Sequence, residues 1–179
     1  MPDGIIIRQA VTSDLDSFRE LRLEALKNHP TAFGADYEES AARPNEHWQE
    51  RLNFDKDQES IFFAKHESQL AGMIGIFRGS SKKSCHESTI WGVYVRPQWR
   101  GHHISETLVR SCLGWAKEQG LVIVKLAVVT TNRPAIRCYE RCGFTIYGKE
   151  PKALYHDGIY YDEYLMSLEI EASKIKSEI

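Results

Sequence analysis

The sequence predicts an α+β fold, a mixed and mostly antiparallel sheet with helices on both faces. Three observations predict it. Strand-like and helix-like segments follow in the order βααβββαβαββ, which implies about seven strands. The run from Leu121 to Val129 is apolar except for Lys125, as expected of a strand covered on both sides. Two stretches with helical apolar stripes, 104–116 and 132–142, flank that run and can supply the cover.

Each element has a local reason. Ile5-Ile6-Ile7 reads as a first strand, and Thr12-Ser13-Asp14 offers caps for a helix carrying Leu15, Phe18, Leu21 and Ala25 at near-helical spacing. Asn28-His29-Pro30 ends that helix. Residues 31–42 read as irregular, and a short helix is expected over about 45–54. Ile61-Phe62-Phe63-Ala64 and Leu70 to Phe77 read as strands joined by a polar turn, and Ser88 to Val95 as a third. Ile104, Leu108, Val109, Cys112, Trp115 and Ala116 form the stripe of a long helix stopped by Gly120. The next helix has Pro134 near its start and Gly143 just past its end. Phe144 to Tyr147 and Tyr160 to Leu168 close the sheet. A single domain over 5–170 with a polar tail over 171–179 is expected.

Composition narrows the function classes. Apolar residues make up 42% and charged residues 27%, the balance of a folded chain rather than a disordered one. A formal charge of -2 leaves no basic footprint, so neither nucleic acid nor an anionic membrane is expected as a partner. The longest apolar run is too short to span a bilayer, and Met1-Pro2-Asp3-Gly4 does not read as a signal peptide. Cys85, Cys112, Cys138 and Cys142 form no CxxC pair. Reduced thiols, no metal and a cytoplasmic location are expected.

Chemistry concentrates in the stretch Val93-Tyr94-Val95-Arg96-Pro97-Gln98-Trp99-Arg100-Gly101-His102-His103-Ile104-Ser105. A strand ends, a turn follows and a helix opens. Unpartnered N–H groups and the positive end of the macrodipole make such a junction an anion site, and Arg100 adds a full charge. Downstream, Asn132 and Tyr139 stand seven apart, so on a helix they differ by only about 20° and face one way.

These two segments resemble motifs A and B of the GNAT N-acetyltransferase superfamily. Arg100 stands at the first position of Arg/Gln-x-x-Gly-x-Gly/Ala; His103 and Ser105 replace the usual small residues. Asn132, Ala135, Tyr139, Gly143 and Phe144 match all five named positions of motif B. The resemblance implies a GNAT-type fold in which the fourth and fifth strands splay apart and pantetheine lies between them. It implies acetyl-CoA as co-substrate and an amine, small molecule or peptide, as acceptor. The pyrophosphate would lie across Arg100, Gly101, His102, His103, Ile104 and Ser105. The backbone at Val93, Tyr94 and Val95 would pair with pantetheine and polarise the thioester carbonyl, and Asn132 would contact the pantetheine arm. Tyr139 would protonate the departing thiolate, and Glu87, just before the strand, would be the base, with Asp162 and Glu163 as rivals. His103 would either hold phosphate or face solvent.

On the acceptor side, Thr31 to Glu39 holds Phe33, Asp36 and Tyr37 with no Lys or Arg among them. That combination is expected to draw a cationic amine through cation–π contact and Coulomb steering. The alternative is a solvated loop, with specificity in the closing strands. Two other function classes compete: a catalytically weak acyl-CoA sensor, and a nucleotide-binding module, which the lack of a Walker pattern disfavours. A homodimer is common in the family, and the residues leave it open.

Overall fold

A computed structural model describes residues 4–171. Seven strands form one sheet in the order β1-β2-β3-β4-β5-β7-β6. They are β1 (Ile5–Gln9), β2 (Glu59–His66), β3 (Gln69–Arg78), β4 (Glu87–Val95), β5 (Ile123–Val129), β6 (Thr145–His156) and β7 (Ile159–Glu169). Every neighbouring pair is antiparallel except β4 and β5. The helices are α1 (Leu15–Asn28), α2 (Tyr37–Ala41), α3 (Asn45–Glu50), α4 (Ile104–Glu118) and α5 (Arg133–Arg141).

Two apolar cores sandwich the sheet. On one side the stripe of α4 (Leu108, Val109, Cys112, Trp115, Ala116) packs with Ile136 and Tyr139 of α5 against Ile74, Ile76, Val124 and Leu126. On the other, Phe18, Leu21 and Ala25 of α1 meet Trp48 of α3 over Ile61, Phe63 and Met73. Burying each such large side chain stabilises the fold by about 1.5–3 kcal/mol. The predicted α+β class and both helix-covered faces are present.

Some boundaries differ. The segment read as irregular contains α2, because Asp36 caps it by accepting from the Glu39 N–H at 2.9 Å. The helix expected to reach residue 54 ends at Glu50. The sixth strand runs on to His156, since β6 and β7 form a long hairpin with two register shifts. The predicted tail beyond residue 171 lies outside the described residues.

One feature of the sheet positions the site. Between β3 and β4 the register slips: Met73 faces Tyr94 but Gly75 faces Trp91, so Gly92 and Val93 bulge opposite Ile74. Gly92 has φ of +67°, which a glycine adopts at no steric cost. The Trp91 indole lies against Gly75, where a Cβ would come within 2.1 Å of it. β4 is thereby turned away from β5. Their ladder covers only Glu87, Ser88 and Thr89 against Ile123, Val124 and Lys125. Beyond Thr89 the two strands part.

Candidate active site

The parting strands leave a cleft of about 520 Å³. Ile90 to Val95 form one wall, Leu126 to Val128 the other, and the starts of α4 and α5 close its end. Beyond Thr89 the edge of β4 has no β5 partner, and an open edge accepts an extended chain as a further strand would be accepted. Alternation decides which groups these are. Arg96 N–H donates to Ala71 on β3 at 2.9 Å, so the peptide groups of Val95 turn to the cleft. Val93 and Tyr94 line the same wall.

The free end of β4 is anchored from α1. Arg96, buried, donates to Glu24 at 2.9 Å and Glu20 at 2.5 Å, and Tyr94 Oη–H donates to Glu24 at 2.8 Å. Desolvation comes first among the causes that push the Tyr94 phenol up, followed by its bond to Glu24. Arg96→Met should remove two charge-assisted bonds and lower unfolding free energy by about 1.5–3 kcal/mol, read by urea denaturation.

At the start of α4, Gly101, His103, Ile104 and Ser105 line the cleft, whereas His102 does not. His103 caps the helix at φ of +59°, a left-handed conformation in which a glycine would be unstrained. Its imidazole Nδ1 lies 2.9 Å from Glu106, whose carboxylate also accepts from Arg141 at 2.7 Å. The bond to His103, ahead of that to Arg141, holds the Glu106 carboxyl below the usual range. His103→Gly relieves backbone strain but loses this bond and loosens the unfolded chain. The expected stability change is within about 1 kcal/mol in a urea titration, with CoA affinity by calorimetry held or improved.

Arg100 reaches back rather than out. Its Nε donates to the Val95 carbonyl at 2.9 Å and its Nη2 to His29 Nε2 at 2.9 Å. A guanidinium only donates, so His29 Nε2 is the acceptor and the ring is neutral. Burial first, and then Arg100, depress the His29 pKa, in agreement. Three further N–H donors of Arg100 remain for an anion.

Asn132 and Tyr139 both line the cleft. Asn132 Oδ1 accepts from Ala135 N–H at 3.3 Å and so caps α5. Tyr139 is buried edge-on against Phe144, with centroids 6.2 Å apart. Burial pushes its phenol well up, so the hydroxyl stays protonated at neutral pH.

The other predicted residues are dispersed. Glu87 stands at the closed end of β4, pairs with Lys125 and does not line the cleft. Asp162 is held by Lys149 at 2.6 Å and by the Lys152 N–H. Glu163, half-buried opposite Val129, has its carboxyl pushed up by burial and by Glu150. Phe33 lines the cleft, with the Arg22 guanidinium already over its ring at 4.9 Å. Asp36 and Tyr37 instead line a smaller pocket against Leu154 and Tyr155 of β6. Asp36 is occupied as a cap, and Lys27 covers Tyr37 at 5.7 Å. The aromatic faces offered for a cationic acceptor therefore have internal cations.

Sequence reading missed Gly92, His29 and Arg22. A glycine inside a strand pattern is a bulge signal. Arg22 occupies a stripe position with Phe18, Leu21 and Ala25, a cation where an apolar residue belongs.

Comparison with known proteins bears on this arrangement. The chain is 26% identical over 168 residues to the L-amino acid N-acetyltransferase AaaT of Escherichia coli, covering 91% of this chain and 96% of that one. Its fold matches a GNAT-family acetyltransferase of Streptococcus pneumoniae with a TM-score of 0.83 at 22% identity, over 93% of this chain and 99% of the other. It also matches yncA of Salmonella typhimurium, solved with its cofactor acetyl-CoA, with a TM-score of 0.84 at 17% identity over 99% and 100% of the two chains. The model of the acetyltransferase (GNAT) family matches residues 16–144. With that match across most of the chain, and with the split between β4 and β5, the protein belongs to the GNAT acetyltransferase family.

Proposed function

We propose that this chain transfers the acetyl group of acetyl-CoA to a primary amine by direct attack in a ternary complex. One observation carries the reading: a free strand edge, a helix start and a protonated tyrosine meet in a single cleft. Those parts suit the three regions of the co-substrate. The unpaired β4 edge takes the pantetheine amides as a strand would. The N–H groups opening α4, with the spare donors of Arg100, take the pyrophosphate. Asn132 flanks the arm.

The amine nitrogen attacks the thioester carbon, forming C–N as C–S breaks. The Val95 N–H, turned to the cleft by strand alternation, stabilises charge on the carbonyl oxygen and needs no reorganisation. Tyr139 gives its proton to the departing sulfur, and the proton shed by the amine restores it. Glu87 takes no part, because its ion pair with Lys125 lies at the far end of β4. The amino-acid substrate in the name of the Escherichia coli relative supports an acceptor of amino-acid size.

The departure at His103 favours a second reading, an acyl-CoA sensor. A thiol-release assay with acetyl-CoA and a panel of amines separates the two. Release with at least one amine is expected; CoA binding without release from any amine leaves the sensor.

A further inference from the structure

On the α1 side of the cleft stands a cation with no counter-charge. Arg22 is half-buried on α1 behind the cleft-lining Phe33 and Trp91, and its Nη1 is buried with no hydrogen-bond partner among the described residues. Among the described residues no carboxylate pairs with it. The nearby carboxylates are spent: Glu24 and Glu20 on Arg96, and Glu59 loosely on Arg51 at 3.9 Å. Arg51 adds to the excess, with its guanidinium 4.3 Å from the Trp91 ring centroid. Desolvation, then repulsion from Arg51, pushes the Arg22 pKa down to about 10, so it is charged at neutral pH yet poorly compensated. Buried charges in folded proteins are paired, and an orphan donor of this kind calls for a partner from outside.

Its position says which partner. The guanidinium touches Phe33 and Trp91, at 4.9 and 5.7 Å from their centroids, and both line the cleft. Nη1 lies 3.5 Å from the point where a Cβ on Gly92 would stand. Gly92 begins the bulge that leads to Val95, whose N–H turns to the cleft. An anion that passes Phe33 and Trp91 to reach Arg22 therefore sits beside the bulge of β4.

We propose that Arg22, with Arg51 behind the Trp91 indole, binds the carboxylate of the acceptor, which is an α-amino acid. The assignment rests on the acetyltransferase reading and narrows it. The carboxylate neutralises the orphan charge, and the Phe33 and Trp91 rings flank the guanidinium that receives it. Decarboxylated amines would leave the guanidinium without a counter-charge, its buried Nη1 still unpaired, so they are poor acceptors.

The test compares acceptors before any substitution. The free L-amino acids are screened by thiol release with acetyl-CoA, and the best is set against its carboxamide and its decarboxylated amine. The acid should exceed both in kcat/KM by about 10- to 100-fold, the worth of a charge-assisted bond. R22M keeps the apolar stem between the rings and removes the charge. It should raise the amino-acid KM by a similar factor, leave KM for acetyl-CoA unchanged and close the gap to the amide, with R22K falling between. Equal turnover of acid and amide by the unaltered protein overturns the carboxylate site, whatever the variants do. If no amine releases thiol, calorimetry of amino acids into the CoA-saturated protein decides. Binding of the acid and not the amide keeps the site while the transfer reading fails, and binding of neither overturns both.

Discussion

Tyr139→Phe is expected to lower the transfer rate by about 10²–10⁴-fold, the usual worth of a positioned general acid. The substitution is clean for structural reasons. The ring is buried against Phe144, and phenylalanine keeps that edge-on contact. Burial first, and then the neighbouring Cys138 and Cys142, push the phenol up. Removing the hydroxyl breaks no bond among the described residues, and melting temperature should hardly move. CoA affinity should be nearly unchanged, because the edge of β4 and the start of α4 are untouched. The defect belongs in kcat, seen in single-turnover thiol release. Undiminished turnover would make Tyr139 a packing residue, and the thiolate would then take its proton from water.

Gly92→Val should cost both stability and rate. Space does not forbid a side chain: the nearest atoms to an added Cβ are Arg22 Nη1 and a Met73 methyl, each at 3.5 Å. The penalty comes from the backbone, since a β-branched residue at φ of +67° is strained by about 1–3 kcal/mol. β4 can escape that strain by straightening, which removes the bulge and re-aims the Val95 N–H. Losing one preorganised donor to a developing oxyanion costs about 10²–10³-fold in kcat. Denaturant titration should show the stability loss, and steady-state kinetics the larger fall in kcat. Stability lost without rate would mean that the bulge holds the fold alone and aims nothing.

The elements legible in the sequence are those whose causes are local. The stripe of α4, the Asn132 cap with Pro134 behind it, and the apolar run of β5 depend on neighbours a few residues away. The cleft-lining residues of the two motifs were legible for the same reason, since each motif is one junction between adjacent elements. Arg100, Gly101, His103, Asn132 and Tyr139 do meet in one cleft. Residues whose meaning depends on a distant partner were not legible. Glu87 reads as a base beside a motif until Lys125, 38 residues on, pairs with it at the closed end of the parallel ladder. Tyr94 acquires its anchor from Glu24, 70 residues away. Asp36 reads as a charge facing an acceptor, but its carboxylate caps a helix too short for periodicity to reveal. Composition and spacing determined the sheet, the helices that cover it and the chemistry at the start of α4. Tertiary packing alone decided where β4 leaves β5 and which charges are left without a partner, because both depend on strand register and burial across the whole chain.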